Sequence, residues 1–335
     1  MFKIQHIFLL VIFILYTSCV AGEVGSPESF FSVQYENDLF TPNGGDRYYT
    51  SGLQLTSLKK TKPPAWLAEV SNWTPFYQHG KDLSLVQYNL GQKIFTPEVI
   101  TASELQQSDR PYAGYLYFGV SVLSRFKRAE NYSIGNQFEI TFGIVGPASF
   151  AKQSQTFVHK FTGSDAPNGW DHQLSNELAL GLSYSRFWRF TRSLADNLSF
   201  GVNPQVSGAF GNVYTYGAGG VMIRLGSDLK RDLSPPNIRP GFPGVIYFEG
   251  GKRSSWYVYL GFEGRLVLRD IFLDGNTFTD SHSVEKEPLV GDMQYGYVYM
   301  FDAVRIAFSN MIRTDEFKMQ KERTRYGAIN ISFRY

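Results

Sequence analysis

Cysteine is nearly missing: the single copy among 335 residues is Cys19, so no disulfide framework can hold the fold. Charge is scarce as well, at 19% of residues, where a soluble domain carries about 25%. Neither sign dominates, since 32 basic residues face 30 acidic ones. A nucleic-acid-binding chain would need a basic excess, so no such partner is expected. Beyond residue 22 no apolar run is long enough for a membrane helix, which needs ~20 residues. Short catalytic signatures are missing too. There is no Gly-x-Ser-x-Gly elbow, no His-Glu-x-x-His and no phosphate-binding glycine loop.

What is abundant is a strand-and-turn vocabulary: 21 Tyr, 28 Phe and 32 Gly. That aromatic content also excludes a disordered chain. The first 22 residues read as a signal peptide: Lys3 precedes an apolar run from Phe8 to Leu15, and Cys19-Val20-Ala21 supplies small residues before the cut. Cys19 could alternatively accept a lipid, although Tyr16 stands where such signals carry a small aliphatic residue. Residues 23–335 then form one domain.

Alternation defines the rest. Phe138, Ile140, Phe142 and Ile144 interleave with Glu139, Thr141 and Gly143, and comparable rows run through Leu178–Ser185 and Val304–Ser309. Such rows have one dry and one wet face. Segments of about ten residues and aromatics near their ends (Tyr48, Tyr49, Tyr112, Tyr115, Tyr117, Trp256, Tyr257, Tyr259) favour an all-β, closed antiparallel transmembrane barrel over a sandwich. The chain also ends in an alternating strand closed by Tyr335, similar to the signal read by the barrel-assembly machinery. The pattern predicts about twelve strands, starting near Phe31, Thr50, Leu85, Ala113, Gln137, Glu177, Ser199, Tyr214, Trp256, Met293, Val304 and Tyr326. With both termini periplasmic, 38–49, 94–112 and 146–175 become extracellular loops. The long Pro- and Gly-rich connection 226–255 then falls, awkwardly, on the periplasmic side.

The unusual polar residues gather in those outer loops. Glu36-Asn37-Asp38 faces Asp46–Thr50 across the first hairpin, an oxygen-rich set that suits a hard cation and equally suits a turn. Parity sends Phe31, Val33 and Tyr35 to lipid, so Asn37 ends an outward row, where an amide needs a partner from outside the wall. Thr50 falls on the inward parity with Gln54 and Thr56, and matches Asn37 only if the strand bulges. In the third loop, Ala148–Lys160 has no Pro or Gly and predicts a short helix stopped at Gly163, with Gln155 and His159 on one face. His79 and His282 sit in connections without companions, and His172 stands where the chain re-enters the sheet, a place that suits an anchoring role.

Together, Gln34-Tyr35-Glu36-Asn37-Asp38, Asp46–Gly52, Asp109-Arg110-Pro111-Tyr112-Ala113-Gly114, Gly143–Pro147, Gln155–His159 and Gly169-Trp170-Asp171-His172-Gln173-Leu174 resemble the lipid A 3′-O-deacylases of Gram-negative outer membranes. The resemblance implies a Ca²⁺-dependent ester hydrolase of twelve strands that removes the 3′-linked acyl or acyloxyacyl chain of lipid A. Its site would lie between the barrel wall and a helix of an extracellular loop, facing the outer leaflet. Carried over by motif, Asn37, Asp38 and Thr50 match required positions that bind the metal, His159 matches the general base and Gln155 a supporting position. Asp165 matches an acidic position after the histidine, and the resemblance implies that it joins Asn37, Asp38 and Thr50 as a metal ligand. Adjacent basic residues that family members can carry are missing from Val99–Gln107, so either Arg110 or Lys160 holds the lipid A phosphates or the headgroup differs. Two other classes remain open on the residues alone: an outer-membrane phospholipase using Ser154 or Ser51 as nucleophile, and a channel or adhesin without chemistry.

Overall fold

The structure, a computed structural model, describes residues 28–41, 47–73, 77, 82–234, 238–239 and 242–335. The expected signal peptide, Asp46 and His79 lie outside these residues.

Twelve antiparallel strands follow one another around a closed barrel: β1 (Ser29–Asn37), β2 (Tyr48–Lys59), β3 (Leu83–Thr96), β4 (Ala113–Ala129), β5 (Tyr132–Val145), β6 (Glu177–Ala195), β7 (Leu198–Gly211), β8 (Tyr214–Gly226), β9 (Gly251–Asp270), β10 (Leu289–Asp302), β11 (Val304–Arg313) and β12 (Arg325–Arg334). β1 closes on β12 through a register running from Phe30 opposite Arg334 to Asn37 opposite Gly327. Closure leaves no open sheet edge, the condition for backbone in hydrocarbon. The strands run from 9 to 20 residues, and nine of the twelve are longer than the expected ten. Alternation holds as expected: Leu178, Leu180 and Leu182 are exposed on the outside, whereas Glu177, Ala179 and Ser183 face in and are buried.

Most of the tyrosines expected at the interface turn inward instead. Tyr115, Tyr117, Tyr257 and Tyr259 are buried in the lumen and only Trp256 of the pair-wise runs faces out. Residues two apart share a face, and a polar lumen gives phenol hydroxyls partners that hydrocarbon cannot. Tyr117 donates to Gln54 Oε1 at 2.8 Å and Tyr257 to Asp232 Oδ2 at 2.5 Å.

The lumen is filled. At the outer mouth Phe272, from the one-turn helix 271–274 after β9, stacks on Phe95 at 4.0 Å among Tyr49, Tyr115 and Tyr214. Below lies a charged belt in which Arg265 and Arg313 share Asp292. The awkward 226–255 connection closes the opposite end. Leu229, Leu233 and Val245–Phe248 tuck inside the barrel against Phe30, Leu85, Leu123 and Phe187. Buried guanidiniums rivet it: Arg305 Nε donates to Asp232 Oδ2 at 2.8 Å, and Arg189 to the carbonyls of Leu229 and Asp232 at 3.1 and 3.0 Å. The described parts of this connection, 227–234 and 244–250, therefore form a plug, which is why it departs from the short-turn rule for periplasmic connections.

Two helices lie outside the wall. α1 (Ala65–Asn72), in the periplasmic connection after β2, sets Leu67 against the outward Val86, Val120, Val122 and Phe138. α2 (Ala151–Thr162), in the third outer loop, lies against the outer ends of β3 and β4.

Candidate active site

The first hairpin builds one half of the site. Phe31, Val33 and Tyr35 are partly exposed while Ser32, Gln34 and Glu36 are buried, so the outward row reaches Asn37 as its parity requires. There the chain turns into a short 3₁₀ turn, Asp38–Phe40, whose Phe40 lies edge-on to the outward Tyr35. Asn37 Oδ1 caps this turn by accepting Leu39 N–H at 2.9 Å, and its Nδ2 donates to the Thr50 carbonyl at 3.2 Å. Asp38 is buried, and Arg47 N–H donates to its Oδ2 at 3.0 Å. The β2–β3 register shifts between Tyr49 and Ser51. This bulge at Thr50 is what reconciles it with Asn37. Tyr49 stays inward on Glu36, while Thr50 bonds Thr96 Oγ1 at 2.8 Å. Thr96 shares the outward row of β3 with Ile94.

Ile94 carries the other half. It packs with Ile100, Tyr112, Ala151 and Trp170 beneath α2. The helix spans Ala151–Thr162 rather than 148–160, because Phe150 sits at φ 59 in the left-handed region and Pro147–Ser149 forms a separate 3₁₀ turn. Gly163 at φ 78 ends it as expected. Gln92 Nε2 on the outer wall donates to the Ser149 carbonyl at 2.6 Å and fixes the approach. A Cβ on Gly114 would come within 2.2 Å of Ala151 Cβ, so only glycine lets the helix sit this close.

Ala151, Gln155 and His159 are the buried residues of α2, four apart and turned to the wall. Trp170 Nε1 donates to Gln155 Oε1 at 2.9 Å. An indole nitrogen can only donate, so the amide oxygen must face it and the Nε2 donor points the other way. That Nε2 is buried and has no hydrogen-bond partner among the described residues. His159 Nδ1 bonds the backbone carbonyl of Asp165 at 2.5 Å. A carbonyl has no proton to give, so Nδ1 carries it and the lone pair lies on Nε2, the tautomer a general base needs.

The structure thus brings Asn37, Asp38 and Thr50 together in one cluster and Gln155 and His159 in another, linked by Thr96 and Ile94 on one strand. Other expectations need correction. Asp165 presents its carbonyl to His159 while its side chain is exposed, unlike the buried Asp38. Arg110 is 1% exposed and turned into the barrel mouth, over the Phe95 ring at 4.9 Å and 3.4 Å from Glu316, away from α2. Buried and paired there, it is poorly placed for a lipid phosphate. Lys160 is exposed on α2. His282 has a companion after all, the Asp109 carbonyl at 2.7 Å. His172 is exposed. Ser154 stands five residues from His159, about 140° around the helix axis, so it faces elsewhere. Trp170, Thr96 and Gly114 join the site without any role legible in the sequence, although Trp170 and Gly114 stand inside the family-like motifs. Their roles come from neighbours far away in sequence.

Among the described residues no group of three or more His, Cys, Asp or Glu side chains could hold a metal. The first cluster offers instead one buried carboxylate with amide, hydroxyl and carbonyl oxygens, a hard, all-oxygen set that fits Ca²⁺ and not Zn²⁺.

The outer-membrane protein LpxR family model matches residues 7–335. LpxR from Salmonella typhimurium superposes with a TM-score of 0.70 at 22% identity, covering 91% of this chain and 99% of that one. The β domain of the Bordetella autotransporter BrkA reaches 0.45 at 9% identity, over 93% of this chain and 99% of its own. The translocator domain of NalP from Neisseria meningitidis reaches 0.39 at 8%, over 98% and 96%. No match is found among curated proteins. The match over nearly the whole length places the protein in the outer membrane, and the chain belongs to the LpxR family of outer-membrane proteins.

Proposed function

We propose that the protein is a Ca²⁺-dependent lipid A 3′-O-deacylase acting at the outer leaflet. The observation that carries this reading is the position of His159 and Gln155: a base in the correct tautomer and an unpaired amide donor, turned to the lipid-facing side of a barrel wall. A soluble substrate would find no reason for a site there, whereas a lipid ester diffusing in the leaflet meets it from the side.

In this mechanism His159 Nε2 takes a proton from the water that attacks the ester carbonyl. The Asp165 carbonyl holds the ring in place and steadies the imidazolium that forms. Gln155 Nε2 donates either to that water or to the oxyanion that develops, a contribution of about 3 kcal/mol for one well-placed donor. The proton then passes from His159 to the leaving sugar oxygen. Asn37, Asp38 and Thr50 are the residues that would hold Ca²⁺, which when bound supplies Lewis-acid polarisation of the ester carbonyl. Lys160 is the exposed cation left to meet a lipid A phosphate once Arg110 is turned inward.

Mass spectrometry of lipid A from cells with and without the gene tests the reading directly. Loss of the 3′-linked chain only where the gene is present is the expected result. Release should stop in EGTA, return with Ca²⁺ and ignore a serine-directed fluorophosphonate. It should also be abolished by Asn37→Ala or Asp38→Ala, with heat-modifiable barrel migration intact. Unchanged lipid A, or inhibition by the fluorophosphonate, overturns it.

A further inference from the structure

α2 has three faces, and His159 and Gln155 occupy only one of them. Ala151, Gln155 and His159 face the wall. Ser154, Phe157, Val158 and Phe161 follow the i, i+3, i+4, i+7 spacing of a second stripe. Its three apolar members are exposed by 67%, 41% and 40%. Lys152, Thr156 and Lys160 make a third stripe on the other flank. An ordinary surface helix hides its apolar stripe; this one hides polar residues and leaves phenylalanines uncovered.

The two uncovered flanks are not equivalent in direction. Lys152 Nζ pairs with Asp171 Oδ1 at 2.9 Å, in the turn 170–172 beside Tyr112, beyond the strand ends. The basic flank therefore looks outward from the membrane, and the apolar flank looks back along the wall. That wall is already a lipid-facing surface, where Leu90, Phe118 and Phe142 stand exposed on β3, β4 and β5. The apolar stripe continues this membrane interface, and the lysines are complementary to anionic headgroups above it.

We propose that the Phe157–Val158–Phe161 flank is a membrane-docking surface occupied by acyl chains of the outer-leaflet lipid, with the Lys152–Lys160 flank at headgroup level. The helix that carries His159 is then seated partly by the bilayer itself. The inference rests on the outer-membrane location and not on the hydrolytic reading, so either can fail alone.

Spin labelling tests it in the full-length protein. With Cys19 replaced by Ala, single Phe157→Cys, Phe161→Cys and Lys160→Cys variants are labelled. They are reconstituted in vesicles of phosphatidylcholine and phosphatidylglycerol. All three positions are exposed, and unheated electrophoresis verifies that the barrel is folded. Labels at 157 and 161 should relax with oxygen several-fold more than with a nickel chelate, and the label at 160 should show the reverse. Greater relaxation by the nickel chelate at 157 and 161 means a water-facing helix and overturns the proposal. Exclusion of both reagents with dipolar broadening between labels means a second copy of the chain covers the flank, and overturns it equally. No assay of acyl release enters this result.

Discussion

Trp170 holds Gln155 through a single hydrogen bond from its indole N–H to the amide oxygen, 2.9 Å long and fully buried. One loop residue thereby fixes which end of the buried amide is left without a partner among the described residues. Trp170→Phe keeps the ring's packing on Tyr112 and Ile94 but removes the donor. A hydrogen bond of about 1 kcal/mol is lost. The expected outcome is a drop in kcat of roughly five- to tenfold, measured as acyl release from lipid A in micelles. An unchanged rate would mean that the amide orientation is set elsewhere.

His159→Ala should lower the rate by at least ~10²-fold, the usual share of a positioned base. His172→Ala should cost much less, because its side chain is exposed in the turn that returns to β6. The two variants are compared in the same micellar assay with saturating Ca²⁺. A larger loss in His172→Ala would reverse the assignment.

Gly114→Val separates the barrel from its helix. The new side chain would collide with Ser149 Oγ and Ala151 Cβ, both near 2.2 Å from the first added carbon. The β4 ladder can persist while α2 is pushed off the wall. Misplacement of about 1 Å can cost 10²-fold in rate. Heat-modifiable migration should survive and acyl release should not; retention of both would show that α2 need not lie against β4.

The plug makes a prediction against the channel reading. With Asp232 buried under Arg305 and Tyr257 and the carbonyls nearby held by Arg189, the wild-type protein should show no steady conductance in planar bilayers. Asp232→Ala leaves Arg305 buried without its counter-charge, a penalty of about 3–5 kcal/mol. Transient openings should then appear. A steady wild-type pore would contradict the filled lumen.

Acid should loosen the outer mouth through Glu316. Burial raises its pKa, but the guanidiniums of Arg313 and Arg110 more than offset this and hold it below the ordinary value. A folded value below the unfolded one means that the stabilisation is fully present above ~4.3 and is lost as pH falls through the folded value. Proteolysis of the 314–324 loop should therefore increase as pH falls below the ordinary carboxylate range. Glu316→Gln should remove that dependence. An identical acid profile in the variant would assign the loosening to another carboxylate.

Architecture was legible because a membrane strand states its two environments in alternate residues. Rows such as Leu178-Leu180-Leu182 need only local parity, and the twelve starts fell within five residues of those observed, most within two. The helix was legible for a similar reason, from a run without Pro or Gly and a stop at Gly163. Its start shifted because the left-handed Phe150 carries no mark in sequence. Asn37, parity and the need for a bulge at Thr50 could be worked out from one hairpin, whose partners are neighbours.

What failed to show itself was everything held by distant partners. Tyr115 and Tyr257 look like girdle residues until a lumen supplies their hydroxyls with acceptors. Arg110 looks like a phosphate ligand until Glu316, 206 positions away, claims it. The 226–255 segment reads as an oversized turn until closure of the barrel creates an interior end for Leu229, Leu233 and Val245–Phe248 to fill. Local alternation determined that this chain makes a barrel in a membrane. Only the closed tertiary structure decided which polar groups face the lumen, the lipid wall or each other, because burial and pairing are properties of the space that closure encloses.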